Sequence, residues 1–132
     1  MIIQILDTIN DDIKQIRTDV FIKEQGFEEE FDEIDAIAKF ILLWSDGRAV
    51  GTCRFFPGTE PGEAHVGRMA VRKIHRGQHL GEKIMKAAER AMRRDGYKTC
   101  SLSAQVQAQP FYESLGYVAE GDTYLDEGCP HI

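Results

Sequence analysis

The segment 63–94, EAHVGRMAVRKIHRGQHLGEKIMKAAERAMRR, changes its hydrophobic period once, across a turn that carries glycine. Glu63 to Val71 is short and apolar enough to read as a strand. Beyond the turn, Leu80, Ile84, Ala87, Ala88, Ala91 and Met92 lie along one face of a helix. Lys83, Lys86, Glu89, Arg90, Arg93 and Arg94 cover the opposite face. Asp95-Gly96 ends the helix, with Gly96 supplying the C-cap conformation. Thr99 to Ala104 then reads as another strand. Strand, helix and strand in that order make one crossover, which predicts two parallel neighbours in a sheet.

Working outward, Ile2 to Leu6 is a short apolar strand. Capping residues follow, and Ile13, Ile16, Val20 and Phe21 recur at helical spacing, so a first helix is expected from Asp11 to Glu24. Phe40 to Ser45 and Ala49 to Phe56 flank the turn pair Asp46-Gly47 and read as a hairpin. Toward the other end, residues 107–115 read as a short helix closed by Gly116. Tyr117 to Ala119 and Thr123 to Leu125 are expected as a last hairpin. The order β-α-β-β-β-α-β-α-β-β predicts one α/β (α+β) domain over residues 1–132, built on a mixed sheet.

Composition narrows the class. The chain has 132 residues, 42% hydrophobic and 29% charged, values of an ordinary soluble protein. No apolar run approaches the roughly 20 residues of a bilayer span. The start, Met1 to Asp7, turns acidic too soon for a signal peptide, so a cytoplasmic protein is expected. Cys53, Cys100 and Cys129 are widely spaced and read as reduced structural thiols. Of the four histidines, His75 and His79 are four apart, but no further ligand completes a zinc site, so no metal is expected. The net charge of −6 is confined to residues 23–37, KEQGFEEEFDEIDAI, and the rest of the chain is balanced. Residues 68–98, by contrast, hold ten Lys or Arg against three acids. The two patches suggest an anionic ligand near one and a cationic ligand near the other. The basic helix face lacks interleaved aromatics and the chain is acidic, which argues against a nucleic-acid partner.

The turn Arg76-Gly77-Gln78-His79-Leu80-Gly81 leads into a helix N-terminus, where free backbone N–H groups and the helix dipole make an anion site. Arg72 and Lys73 add charge beside it. The segment resembles the R/Q-x-x-G-x-G/A pyrophosphate motif of the GNAT acetyltransferases, as Arg76, His79 and Gly81, with histidine where glycine is commoner. Downstream, Ala104 to Tyr117 (AQVQAQPFYESLGY) is similar to the family's A-x-x-F-Y-x-x-x-G-[FY] segment. Val20 to Gln25 and Pro130-His131 are similar to the ElaA/YjcF-like branch.

The resemblance implies the GNAT fold, a twisted mixed sheet whose parallel fourth and fifth strands splay apart between flanking helices. It implies transfer of the acetyl group of acetyl-CoA to an amine, with acetyl-CoA as co-substrate. The implied cofactor-binding residues are Met69, Ala70, Val71, Arg76, Gly77, Gln78, His79, Leu80, Gly81, Gln105 and Phe111. A bulge is expected at Gly67, with the Met69 N–H bonding the thioester carbonyl and Gln105 where many members carry a pantetheine-contacting Asn. Tyr112 is the implied general acid for the departing thiolate, with a reference pKa of about 10. His65 falls where several members carry a proton-relaying Glu or His, with Glu63 or a water chain as the alternatives. Arg54 and Arg68 read either as solvated strand residues or as part of the acceptor site. The acceptor is a small-molecule or peptide amine, and the acidic segment points to a cationic one. A homodimer is compatible with the sequence, and a CoA-binding sensor without catalysis is the alternative to an enzyme.

Overall fold

Phe40, Ile41, Leu42 and Leu43 are all fully buried. A strand without exposed alternate positions must lie inside a sheet that is covered on both faces. That strand is β2 (Lys39–Ser45) in a computed structural model that describes residues 1–28, 31–126 and 129–132. The sheet runs in the order β1 (Ile2–Leu6), β2, β3 (Arg48–Pro57), β4 (Glu63–Val71) and β5 (Thr99–Leu102). β1 to β4 are antiparallel neighbours, and β5 lies parallel to β4 as the crossover requires. Asp46 and Gly47 both have positive φ, the two-residue turn that matches the twist of the β2–β3 hairpin.

Residue contacts divide the chain into two units, Met1–Ser101 and Leu102–Ile132. In the first, one face of the sheet packs on α1 (Asp11–Arg17) and its continuation Thr18–Glu24. Ile13, Ile16, Val20 and Phe21 meet Phe40, Leu42, Ala49 and Ala70 there. By strand alternation Ile41 and Leu43 face the other way, the side on which α2 (Leu80–Arg94) packs. A Cβ on Gly51 would lie 2.6 Å from Ile84 Cδ1, so glycine lets α2 settle closely on β3. Residues 18–24, expected as the end of an α-helix, instead form a π-helix.

The second unit holds a 3-10 turn (Val106–Ala108), α3 (Gln109–Ser114) and the pair β6 (Tyr124–Asp126) and β7 (Cys129–His131). The expected hairpin of Tyr117–Ala119 with Thr123–Leu125 does not form. The Tyr117 N–H closes the end of α3 on the Tyr112 carbonyl, across Gly116 at φ 97°, and is spent before any ladder could use it. β6 pairs with the C-terminal residues instead, Tyr124 opposite His131. The C-terminus also returns to Ala104, which exchanges two backbone hydrogen bonds with Ile132.

Candidate active site

β4 carries an irregularity at its middle. Thr52 pairs with Ala70 and Arg54 with Gly67, so Arg68 and Met69 stand against the single residue Cys53. The left-handed residue of this bulge is Arg68, φ 53°, and not Gly67 as expected. A non-glycine residue in that region costs on the order of 1–3 kcal/mol and concentrates at functional sites. β5 is four residues long against nine in β4. Its start is tied to Gly62, whose carbonyl accepts from the N–H groups of Lys98 and Thr99. β4 therefore outruns β5 on the side that holds Met69, Ala70 and Val71.

From Val71 the chain passes through a 3-10 turn (Lys73–His75) to the N-terminus of α2. Arg76, Gly77, Gln78 and His79 are exposed, Leu80 is buried and Gly81 is half-buried. Gly77 takes φ 82° with open space where a Cβ would stand. His79 is the N-cap of α2 in left-handed conformation, φ 60°, rather than helical. The four first N–H groups of any helix lack intrahelical partners, and this helix presents them on an exposed turn. The geometry fits a diphosphate: open backbone, a helix N-terminus and basic side chains.

Two of those basic side chains are themselves ion-paired with the Thr18–Glu24 continuation of the first helix. Arg72 donates to Asp19, and Arg76 makes a two-pronged pair with Glu24 at 2.5 and 2.7 Å, its Nε donating to the Val71 carbonyl. Residues five apart on an α-helix are rotated about 140° from each other. On the wider π-helix they come back to nearly one side. The π turn thus aims Asp19 and Glu24 together at the β4–α2 connection. Glu24 is held below the usual carboxylate range by the Arg76 hydrogen bond. In Asp19 burial raises the pKa, and the bonds from Arg72 and Gln15 more than reverse it.

His65 stands half-buried on β4, before the bulge, its Nδ1 2.9 Å from the Ser101 hydroxyl of β5. Its ring leans on Phe56, its cross-strand neighbour, at 5.3 Å between centroids. Burial lowers its pKa, Arg54 adds to the effect, and Glu63 opposes it. Glu63 itself is tied to the loop before β4, where its Oε1 accepts from the Thr59 N–H at 3.2 Å.

Arg54 proves to be neither solvated nor open. It is 3% exposed and binds Asp32 at 2.6 and 3.0 Å and Asp35 at 2.9 Å. Arg17, 1% exposed, grips Asp35 with two bonds of 2.7 and 3.2 Å, and Arg68 reaches Asp32 at 3.4 Å. Asp32 is held below its ordinary pKa by the Arg54 hydrogen bond. In Asp35 burial pushes upward and the guanidinium of Arg17 prevails. The acidic segment therefore pairs Asp32 and Asp35 with the buried Arg17 and Arg54, and Glu24 with the exposed Arg76.

The second unit carries Tyr112, Phe111 and Gln105. Tyr112 is half-buried on α3, edge-on to Phe111 at 4.9 Å and to Tyr117 at 6.1 Å. Gln105 bridges to His131 and takes a side-chain hydrogen bond from Gln107. Ser101, Asp19 and the Arg17–Asp35 pair were not anticipated. One signal was available: Arg17 falls on the apolar stripe of Ile13, Ile16 and Val20, where a charge must find a buried partner. Among the described residues no group of three or more His, Cys, Asp or Glu gathers as a metal site, and no helix is long and apolar enough to cross a membrane.

Known proteins share this fold. The family described as Acetyltransferase (GNAT) domain matches residues 7–132. YjcF of Bacillus subtilis (strain 168), an uncharacterized N-acetyltransferase, is 38% identical over 120 residues, 89% of this chain and 84% of its own. The crystal structure of Escherichia coli ElaA superposes with a TM-score of 0.86 at 25% identity, covering 98% of this chain and 95% of its own. An acyl-CoA N-acyltransferase from Pseudomonas aeruginosa does so at 0.86 and 28% identity, covering 99% and 96%. A bulged fourth strand feeding a glycine turn at a helix N-terminus, in a chain matched from residue 7 to residue 132, places this protein in the GNAT acetyltransferase family, in its ElaA/YjcF-like branch.

Proposed function

We propose that this chain is a cytoplasmic N-acetyltransferase that moves the acetyl group of acetyl-CoA directly to the primary amine of a small molecule or peptide. The observation that carries the reading is the continuity of β4 and α2: the bulge at Arg68–Met69 and the exposed α2 N-terminus lie on one short run of chain. In this reading the backbone of Gln78 to Gly81 receives the diphosphate, with Arg76 and the open turn at Gly77 beside it. Ala70 and Val71 pair along the pantetheine arm, and Gln105 and Phe111 contact it. The Met69 N–H donates to the thioester oxygen as charge develops there. His65 takes the amine proton, the C–N bond forms, the C–S bond breaks, and Tyr112 gives its phenolic proton to the departing thiolate. Tethering of Glu63 to its loop favours His65 over Glu63 as base.

The test is release of free thiol from acetyl-CoA across a panel of amines. Tyr112→Phe keeps the ring and removes the proton donor, so turnover should fall about 10²–10⁴-fold while CoA affinity, measured by calorimetry, holds. A wild-type rate in that variant removes Tyr112 as the acid. CoA binding without thiol release on any amine would favour a sensor. In His65→Ala the rising acid limb of the pH–rate profile should disappear.

A further inference from the structure

The contact between His65 and Ser101 joins two strands at the head of the proposed site, and none of the steps above uses it. Nδ1 of His65 and the Ser101 Oγ are 2.9 Å apart. Phe56 closes one side of the imidazole at 5.3 Å, and the Arg54 guanidinium lies over Phe56 at 5.4 Å from its centroid. The ring is thus pinned at one nitrogen and backed by an aromatic that is itself anchored by a buried charge. We propose that Ser101 is a positioning residue for His65: its hydroxyl oxygen accepts the Nδ1–H, which leaves the Nε2 lone pair to take the proton of the amine. This rests on the acetyl-transfer reading for its purpose, though not for its geometry.

A neutral imidazole carries one hydrogen, and the nitrogen without it is the base. A serine hydroxyl can donate or accept, so the direction of this one hydrogen bond decides whether Nε2 can work. The surroundings keep the ring neutral. Burial disfavours the imidazolium, Arg54 on β3 repels it, Glu63 on β4 alone favours it, and the contact from β5 is uncharged. With charge suppressed, the tautomer is the remaining variable, and Ser101 is the partner that sets it.

Nitrogen NMR of histidine-labelled protein reads the tautomer, with the His65 signals identified by their loss in His65→Gln. The wild-type ring should carry its hydrogen on Nδ1 at neutral pH, and Ser101→Ala should give a mixture of tautomers. In the same variant kcat should fall about 10–100-fold, the size of effect seen when the hydrogen-bond partner that orients a metal-ligating histidine is lost. KM for acetyl-CoA should stay put, and Ser101→Thr should restore both tautomer and rate. A wild-type ring protonated on Nε2 overturns the proposal, as does a Ser101→Ala variant with unchanged tautomer and kcat. The tautomer is measured without substrate, so inactivity on every amine would fell the transfer reading alone, while the spectrum still decides for or against Ser101.

Discussion

Two non-glycine residues, Arg68 and His79, hold positive φ on either side of the segment that defines this site. Left-handed backbone is costly for a residue with a Cβ, and histidine is among those that tolerate it best. His79 fills the place where the family motif more often has glycine, and the conformation explains that preference. The helix begins from a reversed turn, and φ 60° at its cap is what the reversal demands. His79→Gly should relieve the strain and raise stability by up to about 1 kcal/mol, partly offset by the freer unfolded chain. Among the described residues the exposed imidazole makes a long contact with Glu82, 3.9 Å, and no shorter one, so little is lost with it. Thermal denaturation should show an equal or higher midpoint, and calorimetry an unchanged CoA affinity. A clear fall in midpoint would mean that the side chain, not the backbone, is what the position uses.

At the scale of elements, the first helix and the short turn after it are bound to the sheet by charge. Asp32 caps the 3-10 turn Glu33–Ala36, and Asp35 reaches back to the Asp32 N–H, so the turn is closed on itself. The same two carboxylates then receive Arg17 from α1 and Arg54 from β3. Asp35→Asn keeps the shape but removes the charge facing an arginine that is 1% exposed. Breaking a buried pair by removing one partner typically costs about 3–5 kcal/mol. The urea midpoint should drop accordingly, whereas Glu33→Gln on the same turn should change stability by less than about 0.5 kcal/mol. Equal effects from the two would show that the cluster contributes nothing beyond surface charge. The sequence marked this stretch as an acidic patch for a ligand; its Asp32 and Asp35 are partnered by three arginines up to 36 residues away, which no local pattern contains.

For the molecule as a whole, these shifted groups predict a two-step response to acid. His65 has a folded pKa below its ordinary value, so the unfolded chain takes up that proton first. Stability should begin to erode as pH falls below about 6.5, the unfolded value, and this step ends at the folded pKa. Asp19, Glu24, Asp32 and Asp35 are all depressed in the fold. Their contribution is complete above the unfolded carboxylate values of about 4 and is lost as pH falls through the folded ones. Urea midpoints measured across pH should therefore show a shallow step and then a steeper one. His65→Gln should remove only the first, and a single carboxylate-range transition in the wild type would refute the burial effect on His65.

Period and punctuation by themselves determined most of the architecture: the 80–94 helix, the turn at Asp46-Gly47, and the parallel crossover from β4 to β5. The helix and the turn depend on contacts within a few residues, where apolar spacing and turn chemistry act directly, and the order strand, helix, strand predicts the parallel crossover. The family was legible too, because the turn that resembles its motif, Arg76 to Gly81, is a continuous run of chain. Only the tertiary structure decided the rest. Tyr117 lost its strand because its N–H was needed to close α3, and the C-terminal residues took the pairing instead. The bulge settled on Arg68 rather than Gly67 because the register of β3 against β4, not residue preference, chooses where the extra residue goes. Asp19 and Glu24 face one way because the helix widens to a π turn that lets both reach the arginines flanking Lys73–His75. Each of these outcomes depends on a hydrogen bond or ion pair whose partner is distant in sequence or in competition with another, and such choices are made only when the elements meet.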